Sequence, residues 1–243
     1  MKNFSNFYIF TFASIMVIVV AALLSFVAEE LKPLQEKNVE IEKKMDILSS
    51  VQMTEGLKDA ENKDEFIEGR FREYIEESYV LNSEGEVLEG KDAFTITKNL
   101  KAEYDKPAEE RNLPLFVFLS ESEGQKYIIP TRGKGLWGPI WGYIALNDDF
   151  NTISGTVFDH AAETPGLGAE INTDWFENAF IGKTIFDDKG NFVSIEVVKG
   201  GADPSNMHAV DAISGGTITS KGLEDMLYNS LEPYVSYFKK QMN

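Results

Sequence analysis

From Phe4 to Ala28 the chain carries no charged side chain, and Phe7–Ala28 is almost wholly apolar. As an α-helix those twenty-two residues reach about 33 Å, enough for a hydrocarbon core of about 30 Å. A cleaved signal peptide has a shorter apolar stretch of about 7–15 residues ending in a small-x-small site. Val20-Ala21-Ala22 offers such a site, but the apolar run continues through Leu23, Leu24, Phe26 and Val27. A retained single-pass anchor is therefore expected, with Phe4, Phe7 and Tyr8 at the interface. Lys2 and the α-amino group precede the span and Glu29-Glu30 follow it. Positive residues stay on the cytoplasmic side, so the rest of the chain is expected outside the cytoplasm.

The remainder is long enough for one ordinary domain or two small ones. Hydrophobic residues make up 43% of the 243, which supplies a core, and the net charge is −17 with no basic stripe. Nucleic acid and anionic lipid headgroups are poor partners for such a surface. With no cysteine and two histidines, thiol catalysis, disulfides and Cys-ligated clusters are excluded, and transition metals find few ligands. No metal site and no catalytic side chain is assigned. His160 and His208 read as hydrogen-bonded surface residues, and Asp148-Asp149 and Asp187-Asp188 as turns.

Leu31–Leu48 places Ile41, Met45 and Leu48 at helical spacing, with Pro33 as a kink or false start. Tyr79–Leu81 and Glu86–Leu88 flank Asn82–Gly85, and Leu115–Leu119 and Lys126–Ile129 flank Glu121–Gly124, so two hairpins are expected. Trp141–Leu146 and Asn151–Phe158 form a further pair, Phe192–Val198 a strand, and Thr173–Ile181 a short helix. The last helix shows one apolar face: Leu223, Met226, Leu227, Leu231, Tyr234, Val235 and Phe238, with a kink at Pro233. Hairpins followed by helices argue an α+β fold, mixed or antiparallel in its sheet. The expected division is 1–29 tip and anchor, 30–130 linker helix and α+β region, and 131–243 a ligand-binding domain.

Asp211-Ala212-Ile213-Ser214-Gly215-Gly216-Thr217 carries the most chemistry. Two glycines let backbone approach a ligand closely, and Thr219 and Ser220 offer N-cap oxygens before an apolar periodic run. A helix start suits a phosphate, and Thr217 puts a hydroxyl beside it. Read alone, the stretch is more simply a Gly-rich turn capping the last helix. Two further segments suit a flat ring: Gly133–Tyr143, with four glycines among Trp137, Trp141 and Tyr143, and Glu163-Thr164-Pro165-Gly166-Leu167-Gly168, a tight loop.

The seven residues resemble the flavin-attachment motif of proteins that carry FMN on a threonine as a phosphoester. By that resemblance Asp211 is the motif aspartate, Ser214-Gly215 match, and Thr217 is the acceptor, with Gly216 where alanine is usual. G-x-G-L-W-G-P-x-x-G-Y and E-T-P-G-L-G, in this order before the threonine, resemble the C subunit of the Na⁺-translocating NADH:quinone oxidoreductase. The resemblance implies a covalent FMN on Thr217, with Ser214, Gly215, Gly216, Thr219, Leu136, Trp137, Gly138 and Glu163–Gly168 around it. It implies an electron-carrying subunit of a sodium-pumping respiratory complex, anchored in the bacterial inner membrane with its domain on the periplasmic side. Other subunits are then its partners, and a flavin transferase matures it. The FMN-bearing subunit of the related Rnf complex shares the threonine and E-T-P-G-L-G motifs. A membrane-anchored binding or assembly module without redox chemistry is the alternative from another class.

Overall fold

The computed structural model describes residues 5–242, so Lys2 and Phe4 lie outside the described residues. The chain divides into two units, one ending at Glu42 and the other beginning at Lys43. The first is the bulk of helix α1 (Asn6–Ser49), which runs through Pro33 without a break. Its apolar side chains from Phe7 to Val27 are exposed, and it is the one described helix long and apolar enough to cross a membrane.

The second unit is built on a five-stranded antiparallel meander in the order β1 (Ile75–Leu81), β2 (Leu113–Ser120), β3 (Gly124–Lys134), β4 (Pro139–Asn147), β5 (Ile153–His160). The hairpin β2–β3 is present, longer than expected, and so is the β4–β5 pair. Strand β2 is a continuous apolar run because both faces of the sheet are covered. Leu115, Ile129 and Ile144 face one core; their neighbours Phe116, Ile128 and Tyr143 face another. The first core is closed by α5 (Asp174–Asn178), α6 (Thr217–Leu231) and α7 (Val235–Met242). The second core takes Ile47 from the last turn of α1, Val51, and residues of α2 (Lys63–Tyr74) and α3 (Ala93–Lys98). A short α4 (Leu100–Tyr104) follows α3.

Some expectations change. The first hairpin is present but short: Leu81 bridges Val87, with Leu88 N donating to Val80 O at 2.7 Å and Asn82 N to Glu86 O at 2.9 Å, on the edge of β1 that β2 leaves free. Phe192–Val198 is strand only at Glu196–Val198 (β6), which pairs in parallel with Ala209–Asp211 (β7). Ser194 adopts φ 59°, a left-handed conformation that interrupts the extended run. The boundary at 130/131 falls inside β3, whose residues on both sides pair with β4. The kink expected at Pro233 is present, as a 3₁₀ turn, Glu232–Tyr234, between α6 and α7. The missing N–H of proline explains the interruption, while Leu223, Met226, Leu227, Leu231, Tyr234 and Phe238 stay buried on one core.

Candidate functional site

Thr217 opens α6 and is exposed. The N-cap is Gly216, with no side-chain cap, so Thr219 and Ser220 are not the capping residues the sequence suggested. Both hydroxyls have tertiary work instead. Ser220 Oγ accepts from Ile213 N at 3.1 Å and closes the Ile213–Gly216 loop against the helix. Thr219 Oγ1 donates to Glu163 Oε2 at 2.6 Å. The first-turn N–H groups of Thr217, Ile218 and Thr219 have no acceptor within the helix, and they form the positive end of its dipole.

The loop before the helix needs its glycines. Gly215 has φ 75°, and a Cβ there would lie 2.6 Å from Leu167 Cδ2. Gly216 approaches Gly168, whose Cα would be 3.4 Å from a Cβ at 216. Ser214 is exposed beside them. Asp211, at the end of β7, accepts from Ala202 N through Oδ1 at 2.6 Å and pins the preceding Gly200-Gly201 turn.

Leu136, Trp137 and Gly138 form the tip of the β3–β4 hairpin, closed by Gly135 N donating to Gly138 O at 2.8 Å. Trp137 is 66% exposed, which removes it from the core, whereas Trp141 is half-buried on β4. The Glu163–Gly168 loop turns back on itself: Thr164 O accepts from Leu167 N at 3.0 Å and from Ala169 N at 3.2 Å. Pro165 and Gly166 make its exposed bend, with Gly166 N donating to Glu170 Oε1 at 3.0 Å.

Glu163 joins all three segments. Its carboxylate is buried; Oε1 accepts from Trp137 N at 2.8 Å while Oε2 takes the Thr219 hydroxyl. Sequence reasoning placed Glu163 in the site without seeing this bridge, since nothing local marks partners on three separate elements. Gly135 and Gly168 leave room for the carboxylate: a Cβ at either would fall 2.5 Å and 2.4 Å from its oxygens. His160 Nδ1 accepts from Glu163 N at 3.2 Å, so this histidine supports the loop. His208 Nδ1 donates to Thr184 O at 2.6 Å, away from these loops. Asp149 and Asp187 each accept backbone N–H groups of their own turns.

The three motifs thus converge on one surface. Its exposed apolar side chains are Leu136, Trp137, Leu167 and Ile218, and its polar end is a helix N-terminus beside a threonine hydroxyl. A flat apolar ring with a phosphate tail matches that chemistry. Residues 135–232 match the family model of the FMN-binding domain, which places this stretch in that class.

The C subunit of the Na⁺-translocating NADH-quinone reductase of Neisseria meningitidis is 34% identical over 229 residues, covering 86% of this chain and 85% of that protein. The crystal structure of its counterpart from Parabacteroides distasonis is 43% identical with a TM-score of 0.73, covering 86% of this chain and 96% of that one. The chain belongs to this family, the C subunits of Na⁺-translocating NADH-quinone reductases. With the C subunit of Pseudomonas aeruginosa, at 38% identity, the match spans 44% of the relative's length.

Proposed function

We propose that this chain is the FMN-bearing electron-transfer subunit of a sodium-translocating NADH:quinone oxidoreductase, with the flavin joined to Thr217 by a phosphoester. The observation that carries the reading is the convergence of an exposed Thr217 hydroxyl at the start of α6 with the Trp137 and Leu167 loops, all fixed by Glu163. The first-turn N–H groups of α6 would hold the phosphate, and Leu136, Trp137, Leu167 and Ile218 would flank the ring. Thr219 contributes its N–H, because its hydroxyl is committed to Glu163. Ser214, Gly215 and Gly216 keep the approach to Thr217 open, and Thr164, Pro165, Gly166 and Gly168 hold Leu167 in place. When bound, the isoalloxazine supplies the redox chemistry, and the protein supplies attachment and orientation.

Other subunits of the complex are the partners in this reading, and a flavin transferase installs the cofactor, reading Asp211 as part of its target. The exposed apolar helix from Phe7 to Val27 is the membrane anchor, and the second unit lies on the periplasmic side of the bacterial inner membrane. Expression with the transferase should give a protein that stays yellow after acid precipitation, with FMN minus water on the Thr217 peptide by mass spectrometry. Thr217→Ala should fold and stay colourless, and Thr217→Ser should retain some modification. A covalently yellow Thr217→Ala protein would overturn the site.

A further inference from the structure

A cavity of about 680 Å³ opens between the end of β3, α4 and the middle of α6. It shares Gly138 with the hairpin tip, but Thr217, Glu163 and Leu167 do not line it, so it lies beside the flavin-type surface. In a chain of net charge −17, four cationic side chains line it: Lys101, Arg111, Arg132 and Lys134. Its two carboxylates are already met by lysines. Asp105 lies 2.5 Å from Lys101 Nζ, and Asp225 lies 3.4 Å from Lys221 Nζ.

The cations differ in what they have left to offer. Arg111 sits over the Tyr104 ring at 4.9 Å and donates through Nε to Lys106 O at 3.2 Å. Among the described residues the Arg132 guanidinium and the Lys134 ammonium meet no acceptor and no carboxylate. They stand two residues apart on β3, hence on one face of the strand. Their backbone is held firmly: a Cβ at Gly222 would fall 2.3 Å from Lys134 O, so α6 rests directly on the strand. Tyr104 Oη donates to Ser230 Oγ at 2.6 Å and ties α4 to the same helix. A half-buried arginine without a partner, on a rigid wall, is a donor fork waiting for a planar or tetrahedral oxyanion.

We infer that this cavity is a binding site for a small oxyanion, a phosphate or a polycarboxylate, held by the Arg132 fork with Lys134 beside it. Four cations against two engaged carboxylates give the local excess of positive charge such a ligand needs. Asp105 and Asp225 at the rim favour a compact anion that reaches the β3 wall over one that spreads across the mouth.

The test is isothermal titration of inorganic phosphate and of citrate into the full chain in neutral detergent, at constant ionic strength set with chloride. At least one of them should bind saturably at a single site. Arg132→Gln and Lys134→Gln should each weaken it by about tenfold, the effect of one charge-assisted hydrogen bond. Arg132→Lys, which keeps the charge and loses the fork, should weaken it as well. Lys189→Gln, on an exposed turn outside the cavity, should leave it unchanged. Failure of both anions to bind above chloride overturns the inference, as does binding that survives in a folded Arg132→Gln protein. Thermal melting establishes folding of each variant, and flavin attachment at Thr217 is read separately, so the two readings fail independently.

Discussion

Thr219 and Glu163, 56 residues apart in sequence, are joined by a 2.6 Å hydrogen bond between a buried hydroxyl and a buried carboxylate. The same carboxylate takes Trp137 N at 2.8 Å, so one side chain ties α6, the Glu163–Gly168 loop and the β3–β4 hairpin together. Glu163→Ala orphans the Thr219 hydroxyl, at a cost of about 1–3 kcal/mol, with more from Trp137 N. For a domain of this size the melting temperature of the full chain in detergent should fall by about 5 °C. Glu163→Gln should lose less, because its amide oxygen can serve Trp137 N while its NH₂ donates to Thr219. Equal melting of Glu163→Ala and the parent by circular dichroism would show that the bridge does not hold the three elements together.

Gly168→Ala tests the room left for that bridge. A Cβ there would lie 2.4 Å from both Glu163 Oε2 and Thr219 Oγ1. Neither atom is the free end of a flexible chain, since each is fixed by the other. Overpacking of this kind costs about 1–3 kcal/mol, and covalent flavin yield should drop with it. Gly166→Ala is the comparison: its φ is 75° but nothing lies within 4 Å, so only backbone strain of about 1–2 kcal/mol applies. Flavin yield should fall further at 168 than at 166; the reverse order would show that the bend matters more than the bridge.

Features written in local periodicity were legible from the sequence. The apolar run of α1, the β2–β3 and β4–β5 hairpins and the buried face of α6 and α7 all rest on neighbours within a few residues. Pairing decided at a distance was not. The parallel β6–β7 pair joins segments separated by a loop, and β1 finds its main partner β2 beyond two intervening helices while its other edge bridges Val87. At the site, Glu163 ties the hairpin tip to the start of α6, a contact with no local mark in the sequence, and the helix cap differs from the sequence reading. Thr219 and Ser220 have the right side chains for N-caps, but Glu163 and Ile213 N claim their hydroxyls. The paired cations Arg132 and Lys134 gave no signal either, because their meaning depends on a cavity walled by α4 and α6.

Glu177 gives the second unit a pH dependence. Its carboxylate accepts from Phe158 N at 2.7 Å, and burial pushes its pKa up to about 7 from an ordinary 4.5, with Asp174 and Asp159 adding in the same direction. Between about pH 4.5 and pH 7 the folded chain then holds more proton at this position than the unfolded one. Its contribution to stability is present at low pH and is lost as pH rises through that window. Glu177→Gln mimics the protonated form, so the melting temperature of the variant minus that of the parent should climb from pH 4.5 to pH 7.5. Parallel curves across that range would assign the pH response to other groups.

The end of α1 is part of the second unit's core as well as a continuation of the apolar helix. Ile47, Leu48 and Val51 are at most 2% exposed, and Ile47 and Val51 pack with Phe116, Phe118 and Ile128 on one face of the sheet. A chain beginning at residue 30 keeps these side chains and loses only the stretch whose apolar groups face outward. It should be soluble without detergent and melt cooperatively, because the second unit has its own two cores. A chain beginning at residue 53 loses all three, at about 1.5–3 kcal/mol for each buried side chain. That total approaches the whole stability of an ordinary domain, so this shorter chain should lack a cooperative transition or aggregate. Cooperative melting of both chains at the same temperature would show that the sheet's second core closes without the helix. Aggregation of the longer chain would show instead that the apolar helix has a folding role beyond attachment.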